Sequence, residues 1–245
     1  MKSAFLLLIC LFITAYTSVG QTNNYFPQLT KLRIEGGMRP AIFGYDKSAV
    51  KLIRKKAIQL PKNDPWYCPD PDAPCFEKVA AFQHPLFKDS LYVLFSFGPS
   101  EDPNFAVGTK EGKMLGNING LEFYLTNNNT FYINGHTNNL FNKKRKFEIR
   151  KDTVTEVIQP FYYVGLQSVT LTNVVLYQSK TGPETVASLP KGYKVEVVLA
   201  EYGKPDFELE THFLVKTDYG LMGWLRLNPN DSPDKIIKGL FFAGD

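Results

Sequence analysis

Cysteine and histidine are scarce in this chain, with three of each in 245 residues. Beyond residue 20 only Cys68 and Cys75 remain, and the histidines are His84, His136 and His212. A closed zinc site needs four ligands, and the cysteine pair with the nearby His84 supplies at most three. The composition therefore predicts neither a metal nor a cofactor.

Catalytic motifs are also lacking, since neither Gly-x-Ser-x-Gly nor His-Glu-x-x-His occurs. If the two cysteines are bonded to each other, a Cys/His hydrolase centre has no nucleophile. Two carboxylates that converge in space would still permit glycan hydrolysis. We therefore expect a binding protein rather than an enzyme, and keep as an alternative a hydrolase of wall or glycan polymers with its site in residues 21–160.

Long hydrophobic runs are confined to the first twenty residues. Lys2 is followed by an uncharged, mostly apolar stretch from Ala4 to Tyr16, and Ser18 and Gly20 are small. This order is typical of a signal peptide cleaved after Gly20, and the stretch is shorter than the roughly 20 residues that span a bilayer. We expect a mature protein exported to the periplasm or the extracellular space, without a transmembrane segment. An uncleaved N-terminal anchor is the alternative.

Cys68 and Cys75 flank a segment rich in proline and aspartate. Proline fixes φ and removes a hydrogen-bond donor, so this segment is predicted to be a loop. An even pair of cysteines in an oxidising compartment indicates a disulfide. Free thiols and a metal site are the alternatives.

Charge is nearly balanced, with a formal net charge of +4 at pH 7. So small an excess does not predict a nucleic-acid-binding face, which needs clustered cations. The dense cluster is Lys143–Lys146. Such a run is typical of a solvated turn, and a contact with an anionic glycan or lipid surface is the alternative.

What the chain has in quantity is short β-branched and aromatic runs separated by Gly, Pro, Asn and Asp. They predict a mainly β fold, with an antiparallel meander and little helix in residues 21–160. One short helix is expected within residues 48–60, with Val50, Ile53, Ala57 and Leu60 on its apolar face. Hairpin turns are expected at Asn119–Gly120 and at Lys151–Asp152.

Three segments follow from these patterns: a signal peptide (1–20), a β-rich domain of unknown family (21–160) and a C-terminal domain with a tail (161–245). Residues 160–165 are too apolar for a flexible linker, so the two domains are expected to pack together there. The tail segment Leu240–Phe242 is expected to dock on the fold.

Residues 166–229 contain four short motifs in order: Val174–Tyr177, the Gly-Pro step at Gly182–Glu184, Leu189–Gly192 and Gly220–Arg226. In that order they resemble the first strand, the Gly-Pro loop, the L-x-K-G step and the G-x-x-G-W-V ending of the bacterial SH3 (SH3b) family. The resemblance implies a small SH3-like β-barrel, a module that often binds peptidoglycan or its peptides. Leu176, in place of the usual arginine, and the acidic excursion at residues 202–210 depart from the pattern.

The candidate ligand-binding side chains are aromatic or imidazole groups: Tyr177, Tyr193, Tyr202, Tyr219, Trp224 and His136. The aromatic ones could line a groove that grips an extended peptide or a sugar, although Trp224 could equally be barrel core. We therefore expect an exported envelope protein that binds or scaffolds peptidoglycan or a peptide. A structural subunit that pairs through a sheet edge is a further alternative.

Overall fold

The structure is a computed structural model that describes residues 25–37, 39–70, 73, 75–98, 102–126, 130–201, 212–228 and 231–244. The signal-peptide segment and Tyr202 lie outside these residues. The fold is mainly β, as predicted, and the described strands form three sheets.

The strands of the N-terminal unit are β1 (Thr30–Ile34), β2 (Ala41–Tyr45), β3 (Val50–Lys55), β4 (Glu77–Phe82), β5 (Leu91–Ser96), β6 (Asn104–Gly108), β7 (Met114–Asn119), β8 (Glu122–Leu125), β9 (Thr130–Gly135), β10 (Lys143–Arg150) and β11 (Thr153–Glu156). Those of the C-terminal unit are β12 (Phe161–Val169), β13 (Val174–Tyr177), β14 (Thr185–Leu189), β15 (Lys194–Glu201), β16 (His212–Thr217) and β17 (Met222–Arg226). Two 3₁₀ turns, Ala57–Gln59 and Pro233–Lys235, complete the described elements.

The N-terminal unit consists of two sheets that share one core. Strands β3 to β7 form a five-stranded antiparallel meander, which confirms that prediction. The six-stranded sheet has the order β1-β2-β8-β9-β10-β11, and its β2–β8 pair is parallel. Phenylalanines from both sheets meet between them, with Phe105 and Phe123 ring centroids 5.0 Å apart.

The helix predicted within residues 48–60 is wrong. Val50 pairs with Phe82 of β4 and is buried, so the start of the segment is recruited as an edge strand. Arg54 adopts a φ of 53°, where the register with β4 shifts and the strand ends. Only the 3₁₀ turn at Ala57–Gln59 is helical, because sheet pairing outweighs a weak helical periodicity.

The hairpin predicted at Asn119–Gly120 is also wrong, since β7 and β8 belong to different sheets. The chain instead crosses from one sheet to the other there. A Cβ on Gly120 would lie 2.3 Å from Ile133 Cγ2, so glycine is needed for the close approach to β9. The hairpin predicted at Lys151–Asp152 is confirmed: β10 and β11 pair antiparallel around it, and Lys151 has a φ of 59°.

The Cys68–Cys75 pair is bonded, with a Cα–Cα distance of 6.0 Å. It closes the loop between the 3₁₀ turn and β4. Just before it, the Trp66 indole donates a hydrogen bond of 3.0 Å to the carbonyl of Thr109. The loop is thereby attached to the five-stranded sheet beyond β6.

The C-terminal unit is one six-stranded sheet of order β12-β15-β16-β17-β13-β14. The predicted small β-barrel is not closed among the described strands, because β12 and β14 occupy the two ends of this order and do not pair with each other. The long strand β12 bends at Gly165, which has a φ of 63° at a register shift. The sheet therefore curves around its core without closing.

The two units pack together, as expected, through the residues that join them. Tyr162 is buried and donates a hydrogen bond of 2.6 Å to the Glu156 carboxylate. Leu140 and Phe141, from the loop before β10, belong to the hydrophobic core of the C-terminal unit. The core of one unit is thus completed by the other.

The tail docks on the fold, which confirms that prediction. Ile237 and Leu240 are fully buried in the C-terminal core. Ile237 bridges to Thr170, and Ala243 bridges to Asn139 in the N-terminal unit. The end of the described chain therefore contacts both units.

Candidate binding surface

The two faces of the C-terminal sheet differ in exposure because side chains alternate along each strand. One face carries the buried core side chains Tyr162, Leu176, Ala200, Phe213 and Leu225. Their neighbours along the strands point to the other face, where they are half-buried or exposed. This second face is the candidate binding surface.

Strand register aligns one row of apolar side chains across five strands of this face. Tyr163 lies opposite Leu199, Leu199 opposite Leu214, and Leu214 opposite Trp224. Trp224 in turn lies opposite Tyr177 of β13. A row of this kind is a continuous apolar strip, with an aromatic ring at each end and a tryptophan within it.

A second row lies alongside and carries charge. Phe161 pairs with Glu201, and His212 pairs with Arg226. His212 Nδ1 lies 3.5 Å from the Glu201 carboxylate, which links these two pairs across β15 and β16. We call the two rows together the Trp224 face; it comprises Phe161, Tyr163, Tyr177, Leu199, Glu201, His212, Leu214, Trp224 and Arg226.

Trp224 contacts both an aromatic ring and a cation. Its ring centroid lies 6.2 Å from that of Phe161, and Lys180 Nζ lies 5.8 Å from the ring. Lys180 also pairs with Glu201 of the second row. Phe161 and Tyr163 are 41% and 57% exposed, so the aromatic strip is open to solvent at the β12 edge.

Arg226 attaches the loop after β13 to this face. Its guanidinium carbon lies 3.8 Å from the centre of the Tyr177 ring, a cation–π contact. Its Nη2 donates to the carbonyl of Ser179 at 2.6 Å and also to that of Gly182. The loop containing the Gly-Pro step is thereby fixed beside Tyr177, which is a preorganised arrangement.

The structure brings together two of the sequence-predicted aromatic residues, Tyr177 and Trp224. Tyr193 packs against the hydrophobic core, and Tyr219 is 84% exposed in the turn between β16 and β17. Tyr202 lies outside the described residues.

His136 lies in the N-terminal unit, apart from the Trp224 face. Its ring centroid is 4.5 Å from that of Phe241, and its Nε2 is 2.8 Å from the Phe241 carbonyl oxygen. It also lines a cavity of about 220 Å³ with Arg39 and Asp102. His136 therefore contacts the tail of the chain.

Sequence reasoning missed Phe161, Tyr163, Lys180 and Arg226. A signal was present for the first two, because Phe161 and Tyr163 flank the buried Tyr162 with the period-two spacing of a strand. The positions of Lys180 and Arg226 depend on which strands become neighbours, and local pattern does not supply that information.

The described residues contain no group of three or more His, Cys, Asp or Glu side chains placed to hold a metal ion. Nor does a helix of the length and apolar character needed to cross a membrane occur in the described ranges. Comparisons with protein-family models, with curated proteins and with solved structures gave no match.

Proposed function

We propose that this protein is an exported, non-catalytic binding protein of the cell envelope that holds a peptidoglycan fragment against the Trp224 face. The observation that carries the proposal is the register that places Tyr163, Trp224 and Tyr177 in one row beside Glu201 and Arg226. Exposed aromatic side chains next to charged groups are the usual anchors of binding surfaces.

The chemistry of a wall fragment suits both rows of this face. Its sugar rings present apolar faces that can lie on aromatic side chains, and its short peptide carries carboxylate and amide groups. Lys180 and Arg226 can attract the carboxylates, while Glu201 and the strand edge of β12 can receive N–H donors. One fragment can therefore contact the apolar row and the charged row at once.

We infer further that residues 166–229 form an SH3-like unit. Support comes from the order of β13 to β17 and from the turns at Gly192 and Gly220, with φ values of 85° and 102°. A Cβ on Gly223 would lie 2.9 Å from Leu176 Cβ, so glycine before Trp224 serves the close approach of β17 to β13. The open sheet is a departure from the expected barrel.

Export is the second part of the proposal. It rests on the apolar N-terminal segment and on the Cys68–Cys75 bond, since disulfides persist mainly in oxidising compartments. The mature chain beginning at Gln21 is therefore the form to use in binding experiments.

The test is retention of the mature full-length chain on purified, insoluble peptidoglycan. We expect Trp224→Ala and Tyr163→Ala to lower the affinity by about tenfold or more, because each removes an anchor ring from the row. Tyr163 is largely exposed, so Tyr163→Ala tests the same face even if Trp224→Ala fails to fold. Circular dichroism should confirm that both variants fold.

Tyr219→Ala is the matched control, since it removes an exposed tyrosine of the same sheet that lies in a turn off the face. It should bind as the unchanged chain does. Absence of retention of the unchanged chain, or equal retention of all three variants, would refute the proposed function.

A further inference from the structure

A cavity of about 350 Å³ lies on the outer side of the six-stranded sheet, in the N-terminal unit. Its aromatic wall consists of Phe26, Tyr124 and Tyr132, with the Phe26 ring centroid 4.9 Å and 5.0 Å from the two tyrosine centroids. Its volume falls within the range of small-molecule sites, which is about 300–1,000 Å³. The Trp224 face does not include these residues.

A cation with no carboxylate partner among the described residues lines this cavity. Lys144 Nζ lies 5.3 Å from the Tyr25 ring and 5.4 Å from the Tyr163 ring, and no ion pair of Lys144 occurs among the described residues. Its neighbour Lys146 is paired with Glu148 at 3.1 Å. The sequence run Lys143–Lys146 is the start of β10 rather than the expected solvated turn, and its backbone pairs with β9.

Asn134, a residue with an unsatisfied acceptor, also lines the cavity. Asn134 is only 7% exposed, and its Nδ2 donates a hydrogen bond of 2.9 Å to the Glu122 carboxylate. Its Oδ1 is buried and accepts no hydrogen bond from the described residues. Because a buried acceptor without a donor is costly, this atom points to a ligand group that donates a hydrogen bond.

Two donors from the cavity wall hold the Glu122 carboxylate. The Tyr124 hydroxyl donates to it at 2.7 Å, in addition to the Asn134 amide. Burial, together with Glu122, raises the pKa of Tyr124, so the phenol stays protonated and keeps donating. Glu122 itself is not among the residues that line the cavity.

We propose that this cavity binds a small organic carboxylate that has a flat ring and a hydroxyl or N–H donor. The ring lies against Phe26, Tyr124 and Tyr132, where aromatic packing favours offset or tilted contacts. The carboxylate pairs with Lys144, and the donor group satisfies Asn134 Oδ1. The site shares no lining residue with the proposed peptidoglycan-binding face, although Lys144 lies beside Tyr163 of that face, and the proposal does not rest on the proposed function.

The experiment is a fluorescence titration of the mature full-length chain with 6-hydroxy-2-naphthoate, which carries the ring, the carboxylate and the donor. We expect saturable binding. Two related probes test the two groups separately. In 6-(hydroxymethyl)-2-naphthol a neutral alcohol replaces the carboxylate, and 2-naphthoate lacks the hydroxyl. Each should bind more weakly, the neutral alcohol by about tenfold or more, because a hydrogen bond to a charged group is lost.

Lys144→Gln should weaken binding of the hydroxynaphthoate by about tenfold, with no effect on the neutral alcohol. Lys151→Gln is the control, since it removes the same charge from the exposed turn of the β10–β11 hairpin. Equal affinity of Lys144→Gln and the unchanged chain, or absence of binding, would overturn the proposal. Trp224 does not line this cavity, so Trp224→Ala should still bind the hydroxynaphthoate. Failure of peptidoglycan binding would therefore not count against the carboxylate site.

Discussion

Trp224 combines contacts from three parts of the C-terminal chain. Its ring lies near Phe161 of β12 and near Lys180 in the loop after β13, while its strand neighbour on β13 is Tyr177. Gly223 allows β17 to lie close to Leu176, which fixes the strand beneath the ring. The exposure of the indole is therefore set by the packing of its neighbours as much as by its own size.

Tyr124 provides a test of the pH dependence of stability. Burial, followed by the hydrogen bond and charge of Glu122, raises its pKa above the usual 10.0. A pKa that is higher in the folded state gives a stabilisation that is complete below the unfolded pKa and is lost as pH rises above it. We therefore expect the free energy of unfolding to fall above pH 10, and to fall less steeply in Tyr124→Phe.

Urea unfolding followed by tryptophan fluorescence, at several pH values from neutral to alkaline, measures this effect. At neutral pH the Tyr124→Phe variant should be less stable by about 1 kcal/mol, because it loses the hydrogen bond to Glu122. Tyr219→Phe is the control, since Tyr219 is exposed, and it should show the same alkaline slope as the unchanged chain. If Tyr124→Phe shows that slope too, Tyr124 is not the group responsible.

At the scale of elements, the tail is the part whose contribution can be isolated most readily. Leu240 is fully buried in the C-terminal core, just beyond the bridge between Ile237 and Thr170. We expect Leu240→Ala to lower the free energy of unfolding by about 2–5 kcal/mol, through lost burial and the cavity left behind. Thermal or urea unfolding gives the measurement.

Leu86→Ala makes the same chemical change at a position that is 59% exposed, and should cost no more than about 0.5 kcal/mol. Comparable losses in the two variants would show that the tail is not an integral part of the core.

The success of sequence reasoning differed between elements for identifiable reasons. The Lys151–Asp152 turn was predictable because a short polar step between two β runs specifies a hairpin locally. The Asn119–Gly120 step carries a similar local signal, yet its two strands join different sheets, since β8 finds its partners in β2 and β9. The segment at Val50–Lys55 likewise became a strand because β4 offered an edge. Long-range pairing decided both outcomes.

The candidate site was also predictable only in part. Trp224 and Tyr177 were identified because their motifs are local, and they prove to be cross-strand partners. Phe161 and Tyr163 join them only because β12 pairs with β15. The lining of the cavity that contains Lys144 likewise depends on the pairing of β8, β9 and β10. Chemistry assembled by register across strands is not encoded in any one segment.

At the scale of the whole molecule, the two units are physically connected at several points. Leu140 and Phe141 complete the C-terminal core, and Ala243 bridges back to Asn139. Lys144 of the cavity lies 5.4 Å from the ring of Tyr163, which belongs to the Trp224 face. The two proposed sites therefore adjoin, and a ligand on one is close to a side chain of the other.

The most direct measurement is a map of amide chemical-shift changes across the mature full-length chain, on addition of a soluble disaccharide-peptide fragment of peptidoglycan. We expect the changes to cluster at Phe161–Tyr163, His212–Leu214 and Trp224–Arg226, three segments that share one face of the C-terminal sheet. They should disappear in Trp224→Ala and persist in Tyr219→Ala. Changes confined to other surfaces, or an unaltered map in Trp224→Ala, would contradict the assignment of the Trp224 face as the binding site.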